Sequence, residues 1–336
     1  SYTYLSEGGM FTSGVPNRVF DRERDSFNLH AVDVAIGFQP ASGFGAFVQL
    51  DAGTDADVTG ALSSPSQLLL GHSDNFDVQE AYLQWTSGSL TVIGGKFATS
   101  AGAEVIESPG NLNFSRSILF GYAIPFTHTG MRAAYAVSDR FKFIGGINNG
   151  WDVIKDSLSI AADGKVADGK TLEIGVSANP TSALSFSAML HSGDEPGATV
   201  GRRDLIDIVA SLSVTDALSL TLNFDMAKQQ DALPTGDAEW NGIAAYANFK
   251  FSDKWRTAVR AEMFDDKDGF RTGIDQKWKE LTLTVAHTPS ANVELRGEIR
   301  YDKSNEDVFL GPNPLGGALS VNDSQYGLGL EAIYKF

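Results

Sequence analysis

The sequence predicts an all-β fold, a transmembrane antiparallel β-barrel of about 16 strands with short periplasmic turns and long extracellular loops. Three observations predict it. Apolar and polar residues alternate in runs along the whole chain, and a period of two belongs to a strand with one apolar and one wet face. Seven short polar turn motifs alternate with longer polar segments, the asymmetry of an outer-membrane barrel. The end of the chain alternates up to a terminal aromatic side chain, Phe336.

The first strand begins at Tyr2 and gives way to a long loop at about 6–25. A second strand occupies Phe27 to Phe38. Ala41-Ser42-Gly43 then turns the chain ahead of Phe44. The same device recurs at Ser87-Gly88-Ser89, Ser138-Asp139-Arg140, Thr181-Ser182-Ala183, Thr215-Asp216-Ala217, Ser252-Asp253-Lys254 and Ser290-Ala291-Asn292. Each precedes an apolar residue that opens a new alternating run. Ser, Asp, Asn and Gly suit tight turns because they supply local hydrogen bonds or unusual dihedrals. The clearest runs are Leu184–Ala188, Leu218–Met226, Trp255–Met263, Val293–Tyr301 and Tyr326–Ala332. Between the turns lie long loops at about 53–74, 99–128, 151–169, 193–202, 229–239, 266–274 and 303–323. Seven turns join fourteen strands, and the two terminal segments make sixteen, with both termini on the short-turn side. Residues 1–336 read as one domain with no linker. A barrel of this size is wide enough for an aqueous channel.

Composition narrows the function. The 336 residues carry 42 acidic and 26 basic side chains, a formal charge of −16, and no cysteine. Without cysteine there is no disulfide framework, zinc finger or thiol enzyme. The negative charge argues against a nucleic-acid partner, which needs clustered Lys and Arg. No stretch approaches the roughly 18 consecutive apolar residues of a membrane helix, whereas barrel strands carry a weaker signature. Ser1-Tyr2-Thr3-Tyr4 shows no basic, apolar signal segment, as expected of a processed chain.

Parity divides the strand residues. Leu218, Leu220, Leu222, Phe224, Trp255, Val259, Met263, Val293, Leu295, Ile299, Tyr301, Met131, Ala133, Tyr135 and Val137 share the apolar face expected to meet lipid. Arg132, Glu173, Asp225, Arg256, Arg260, Glu262, Glu280, Glu294, Arg296, Glu298, Arg300 and Glu331 share the other. So many charges call for a water-filled lumen rather than a dry core. Phe38, Phe44, Phe141, Phe143, Phe251, Trp255, Tyr334 and Phe336 lie beside the short turns, as an interfacial girdle would.

The C-terminal strand, with Tyr326, Leu328, Leu330, Ala332, Tyr334 and Phe336 in alternation, resembles the closing strand of Gram-negative outer-membrane proteins. In those proteins the terminal aromatic residue is read by the barrel assembly machinery. The stretch Asn111 to Gly130, followed by Asn149-Gly150-Trp151-Asp152, resembles an outer-membrane β-barrel porin family of Gram-negative bacteria. Tyr2-Thr3-Tyr4 and the Phe27-to-Phe38 strand are similar to it as well. The resemblance implies the Gram-negative outer membrane, outer-membrane lipid and lipopolysaccharide as surroundings, and passive diffusion of small hydrophilic solutes. Porin architecture also implies a homotrimer, and a third loop folded inward to narrow the channel.

By that analogy loop 99–128 folds into the lumen and brings Glu104, Glu107 and Arg116 towards a wall of Arg256, Arg260, Arg296 and Arg300. Arg132, Glu294 and Glu298 complete the expected pore lining. An acidic loop against a basic wall sets a transverse field that orients dipolar solutes. The alternative is that the arginines pair with Glu262, Glu294 and Glu298 along the wall. The acidic loops suit divalent-cation bridging to lipopolysaccharide. Asp265-Asp266-Lys267-Asp268-Gly269 falls short of an EF-hand, since Phe264 stands at the first ligand position. His30, His72, His128, His191 and His287 are scattered with no metal-ligand spacing, and no nucleophile elbow or phosphate loop occurs, so no cofactor, metal or catalytic residue is expected. The rival to a channel is a barrel that sheathes a partner such as a multihaem cytochrome. Deleting Phe336 should leave unfolded, protease-sensitive protein in the periplasm. Heat-modifiable barrel at normal levels in that variant would remove the terminal aromatic from the assembly signal.

Overall fold

The computed structural model describes residues 1–6, 18–21, 25–60, 75–155, 169–195, 201–233, 236–311 and 320–336, with two short strands at 159–160 and 166–167. Sixteen strands form one antiparallel ring. They are β1 (Tyr2–Leu5), β2 (Ser26–Phe27 and Val32–Phe38, interrupted), β3 (Gly43–Ala52), β4 (Phe76–Ser87), β5 (Leu90–Ala98), β6 (Thr127–Ser138), β7 (Phe141–Asn148) and β8 (Thr171–Ala178). Then follow β9 (Leu184–Asp194), β10 (Arg202–Ser213), β11 (Leu218–Leu233), β12 (Gly236–Lys250), β13 (Trp255–Asp266), β14 (Gln276–Ser290), β15 (Val293–Ser304) and β16 (Ser324–Tyr334). Each strand pairs with its sequence neighbour. The ring closes where Tyr2 of β1 lies opposite both Leu330 of β16 and Phe27 of β2. At this seam the described ladder runs over Tyr2–Leu5 and Ser26–Phe27, whereas Val32–Phe38 pairs with β3 alone; the other strands are paired on both sides, which satisfies their backbone inside a membrane. No helix among the described residues is long and apolar enough to cross a membrane.

All seven expected turns join neighbouring strands. Gly43 (φ +96°) and Gly88 (φ +57°) adopt the left-handed conformation that a side chain would strain. On the opposite rim the expected 229–239 loop is instead strand: β11 runs to Leu233 and β12 starts at Gly236, so this hairpin extends past the others. The 99–126 connection carries a 3₁₀ turn (Ser108–Gly110) and a single π-helical stretch (Leu119–Ala123).

The alternation places the apolar face outwards. Leu220, Leu222, Phe224, Val259, Met263, Leu295, Ile299, Met131, Tyr135 and Val137 are all exposed on the outer wall, and Phe38, Phe44, Phe143, Phe251, Trp255, Tyr334 and Phe336 are exposed near the turns. A reporter tag near Gly236 or Gly311 should therefore be accessible on intact cells, whereas one at Asp139 or Asp253 should not. Reversed accessibility in whole-cell labelling would overturn this orientation.

Candidate functional site

The inner wall and segment 99–126 meet through backbone polar groups. An irregular segment has no ladder to satisfy its amides and carbonyls, and leaving them buried and unpaired is costly. Here the wall's charges satisfy them. The Phe114 and Ser115 amides donate to the Glu298 carboxylate (2.7 and 3.0 Å), and those of Ile118 and Leu119 to Glu262 (2.8 and 3.2 Å). Arg260 donates to the Ser115 carbonyl (2.6 Å), Arg300 to the Arg116 carbonyl (2.7 Å) and Arg256 to the Leu112 carbonyl (2.7 Å). Arg296 reaches the carbonyls of Ser108, Asn111 and Asn113 (3.0–3.2 Å). The arginine bonds carry a charged donor, which makes each about twice as strong as a neutral one.

Beyond this clasp the segment turns apolar. Ile118, Leu119, Phe120, Tyr122, Ala123, Ile124 and Phe126 are buried against inward side chains of the wall: Leu205, Ala227, Trp240, Tyr246, Phe264 and Trp278. Trp240 Nε1 donates to the Ala123 carbonyl (3.1 Å) and Arg271 Nε to that of Tyr122 (2.5 Å). The returning stem is tied to residues 149–152. The Asp152 carboxylate accepts the amides of Phe126 and Thr127 (both 2.8 Å) from a left-handed backbone (φ +56°). Burial is the largest influence on that carboxyl and pushes it up to about 6, against the two amides that pull it down.

The sequence-predicted residues therefore fall into four places. Arg256, Arg260, Glu294, Arg296, Glu298 and Arg300 come together beneath the segment, and Glu104 joins them at 2.8 Å from Arg260. Arg260 also meets Glu280 (2.7 Å); Arg296 meets Glu294 (2.7 Å) and Glu331 (3.2 Å); Arg300 meets Asp302 (2.7 Å). Arg116 turns back into its own segment, donating to the carbonyls of Val105, Phe114 and Ile106. Glu107 faces the other way and accepts from Gln49 of β3 (2.7 Å) and Gln79 of β4. Arg132 stands apart on β6, bonded to Glu173 (2.7 Å) and to the Ala98 carbonyl (3.0 Å).

Two expectations are corrected. Arg260, Arg296 and Arg300 are at most 3 % exposed, so they do not face permeating ions. Glu104, expected across the channel from these arginines, is in direct contact with Arg260. The physical reason is the same for both. The wall's charges are needed to pair the segment's backbone, and they neutralise one another in doing so. Sequence reasoning missed Trp240, Phe264 and Trp278 as inward residues. The signal was present, since Met263-Phe264 and Met226-Ala227 break the polar-inward alternation. It also missed that β6 and β9 bring His128 and His191 together, with rings stacked at 5.1 Å.

The comparisons bear on this architecture. A family model described as "Putative beta-barrel porin-2, OmpL-like" matches residues 3–336. The chain belongs to this porin family. Family and barrel together make it a Gram-negative outer-membrane channel, a water-filled route for passive diffusion of small hydrophilic solutes and ions. No curated protein matches the sequence. Among solved structures it is similar to the outer membrane channel DcaP of Acinetobacter baumannii (13 % identity, TM-score 0.65, covering 99 % of this chain and 94 % of that one). An anion-selective porin from Comamonas acidovorans is comparable (14 % identity, TM-score 0.67, 99 % and 96 % covered). So is the trimer form of OmpT of Vibrio cholerae (12 % identity, TM-score 0.60, 100 % of both chains). At such identities the likeness is one of fold.

Arg260 is the charge with most partners in the clasp. Arg260→Ala strands Glu104 and Glu280 without their cation, a loss of about 3–5 kcal/mol for a broken buried pair. The expected result is a lower heat-modification temperature and new protease cleavage within 99–126. Arg260→Lys should recover only part, because an ammonium cannot fork between two acceptors.

Proposed function

We propose that this porin is a general diffusion channel narrowed by segment 99–126, with weak cation selectivity and a homotrimeric assembly. The observation that carries the reading is the pairing of the wall arginines within the clasp. Three cations that would favour anions, Arg260, Arg296 and Arg300, are thereby buried, and the fourth, Arg256, is paired with Glu294. What remains on the neighbouring wall is acidic. Asp33, Asp51 and Asp77 lie opposite one another across β2, β3 and β4; Asp77 is buried with Lys96 at 2.9 Å and Asp51 is buried between the other two, while Asp33 is partly exposed. The charge of −16 adds a cation-attracting mouth, screened beyond a Debye length of about 8 Å at physiological salt. On the turn half of the barrel the inward side chains Phe47, Tyr82, Gln84, Ser185, Ser187 and Ser211 are partly exposed, which suits an aqueous vestibule there. The trimer is carried over from architecture, supported by the trimer form of the Vibrio cholerae protein. A sheath for a threaded partner fits less well, since Phe114, Ile118 and Phe120 are buried inside the barrel where such a partner would pass.

Planar-bilayer recording tests the reading. Openings in groups of three equal steps and a reversal potential of cation sign that fades as salt rises are expected. Replacing Arg296 and Arg300 with Ala takes the nearest cation from Glu331 and Asp302, leaves Glu294 with Arg256, and loosens the clasp, so conductance and cation preference should both increase. An anion-selective wild-type channel would overturn the assignment.

A further inference from the structure

We infer that the inner wall carries a binding site for one divalent transition-metal ion, of the zinc class, formed by His128, His191 and Glu173. These residues come from β6, β9 and β8, and one ligand atom from each lies within 4.8 Å of the other two. Glu173 is the cross-strand partner of His191. All three side chains are buried, none more than 1 % exposed.

Two further observations point to a ligand rather than to packing. Neither ring nitrogen of His191 has a hydrogen-bond partner among the described residues, although the residue is fully buried. A buried imidazole has one donor and one acceptor to satisfy, so leaving both open is unfavourable unless something else is bound. His128 is arranged as a metal-binding histidine is: its Nδ1 lies 3.2 Å from the Gly150 carbonyl, which orients the ring and leaves Nε2 for an ion. Only a weak contact, 3.4 Å to Thr99 Oγ1, occupies Nε2.

The donor set selects the ion. Two imidazoles and a carboxylate suit zinc and its first-row neighbours, whereas calcium and magnesium prefer oxygen alone. A tetrahedral zinc with bonds of about 2.0–2.2 Å keeps its ligand atoms about 3.4 Å apart, so the three side chains need close by little more than about 1 Å. Water would take the fourth position. Glu173 already accepts from Arg132 (2.7 Å) and Asn148 (2.6 Å), yet a carboxylate offers about four lone-pair sites, which leaves room for an ion. Arg132 is the charge that opposes a cation here. It already shares Glu173, at 2.7 Å, and is anchored over the Phe97 ring, at 4.3 Å, and on the Ala98 carbonyl, so an ion must take the remaining lone pairs of that carboxylate. Thr99 lies at the departing stem of segment 99–126 and His128 just past its return, so an ion here would pin the wall where that segment leaves and returns.

The test uses the refolded full chain without a polyhistidine tag, stripped with a chelator. Calorimetric titration with Zn²⁺ should give one equivalent, and Co²⁺ should give a visible ligand-field spectrum that Zn²⁺ bleaches. H191A and H128Q, each checked for heat-modifiable folding, should weaken binding by about 10- to 100-fold or more, and H287A on the outer wall should not. No saturable equivalent in the wild type overturns the site. So does unchanged affinity in both folded inner-wall variants. Neither readout depends on conductance, so a failure here leaves the channel assignment standing.

Discussion

An irregular peptide inside a barrel must find partners for its own backbone, and the rest of this interior depends on how that demand is met. Strands pair with strands, but residues 111–119 have no neighbouring ladder. The wall answers with charged side chains long enough to reach them. Glu298 and Glu262 each take two consecutive amides, and Arg256, Arg260, Arg296 and Arg300 take carbonyls. The charges have the converse need, because a buried ion without partners costs far more than a buried amide. Segment and wall therefore each satisfy what the other could not leave unpaired. Arginine fits this role better than lysine, since its planar fork serves a carboxylate and a carbonyl together, as Arg260 does with Glu280 and Ser115.

The order of residues along each strand matches the order along the segment. On β13 the inward positions run Arg256, Ala258, Arg260, Glu262, Phe264; on β14 they run Thr284, Thr282, Glu280, Trp278. Both pass from polar to aromatic in the direction of the long loops. The segment does the same, with polar Asn111, Asn113, Ser115 and Ser117 before apolar Ile118 to Phe126. Its first half meets the charged rungs and its second half meets Trp240, Phe264 and Trp278. Burying a side chain of that size is worth about 1.5–3 kcal/mol each, so the apolar half holds the segment while the polar half sets its register.

Strand faces, strand number and turn side were legible because a period of two is a local property. Met131 outwards and Arg132 inwards follow from parity alone. The clasp was half legible: the charges on β13 and β15 were visible, but their partners are backbone groups, and backbone carries no sequence signature. That is why Arg260, Arg296 and Arg300 read as pore lining and proved to be buried. The meeting of His128 and His191 was not legible at all. Sixty-three residues separate them, and their approach depends on the register of β6, β7, β8 and β9 together, where one slip would turn a histidine outwards.

The stretches that resemble the porin family, 111–130 and 149–152, form one structural unit. His128 meets the Gly150 carbonyl, and Asp152 holds the amides of Phe126 and Thr127. Together they make the clasped segment and its root. In the proposed reading selectivity lies elsewhere, in the wall charges the clasp leaves unpaired. The two requirements can vary separately, so a barrel of the same fold at 14 % identity can be anion-selective without setting the preference of this one. In this chain the arginines are committed to the segment. The acidic rung across β2, β3 and β4 is not, and Asp33, the one of its three carboxylates that is partly exposed, is in the proposed reading the group on that wall that meets a passing cation.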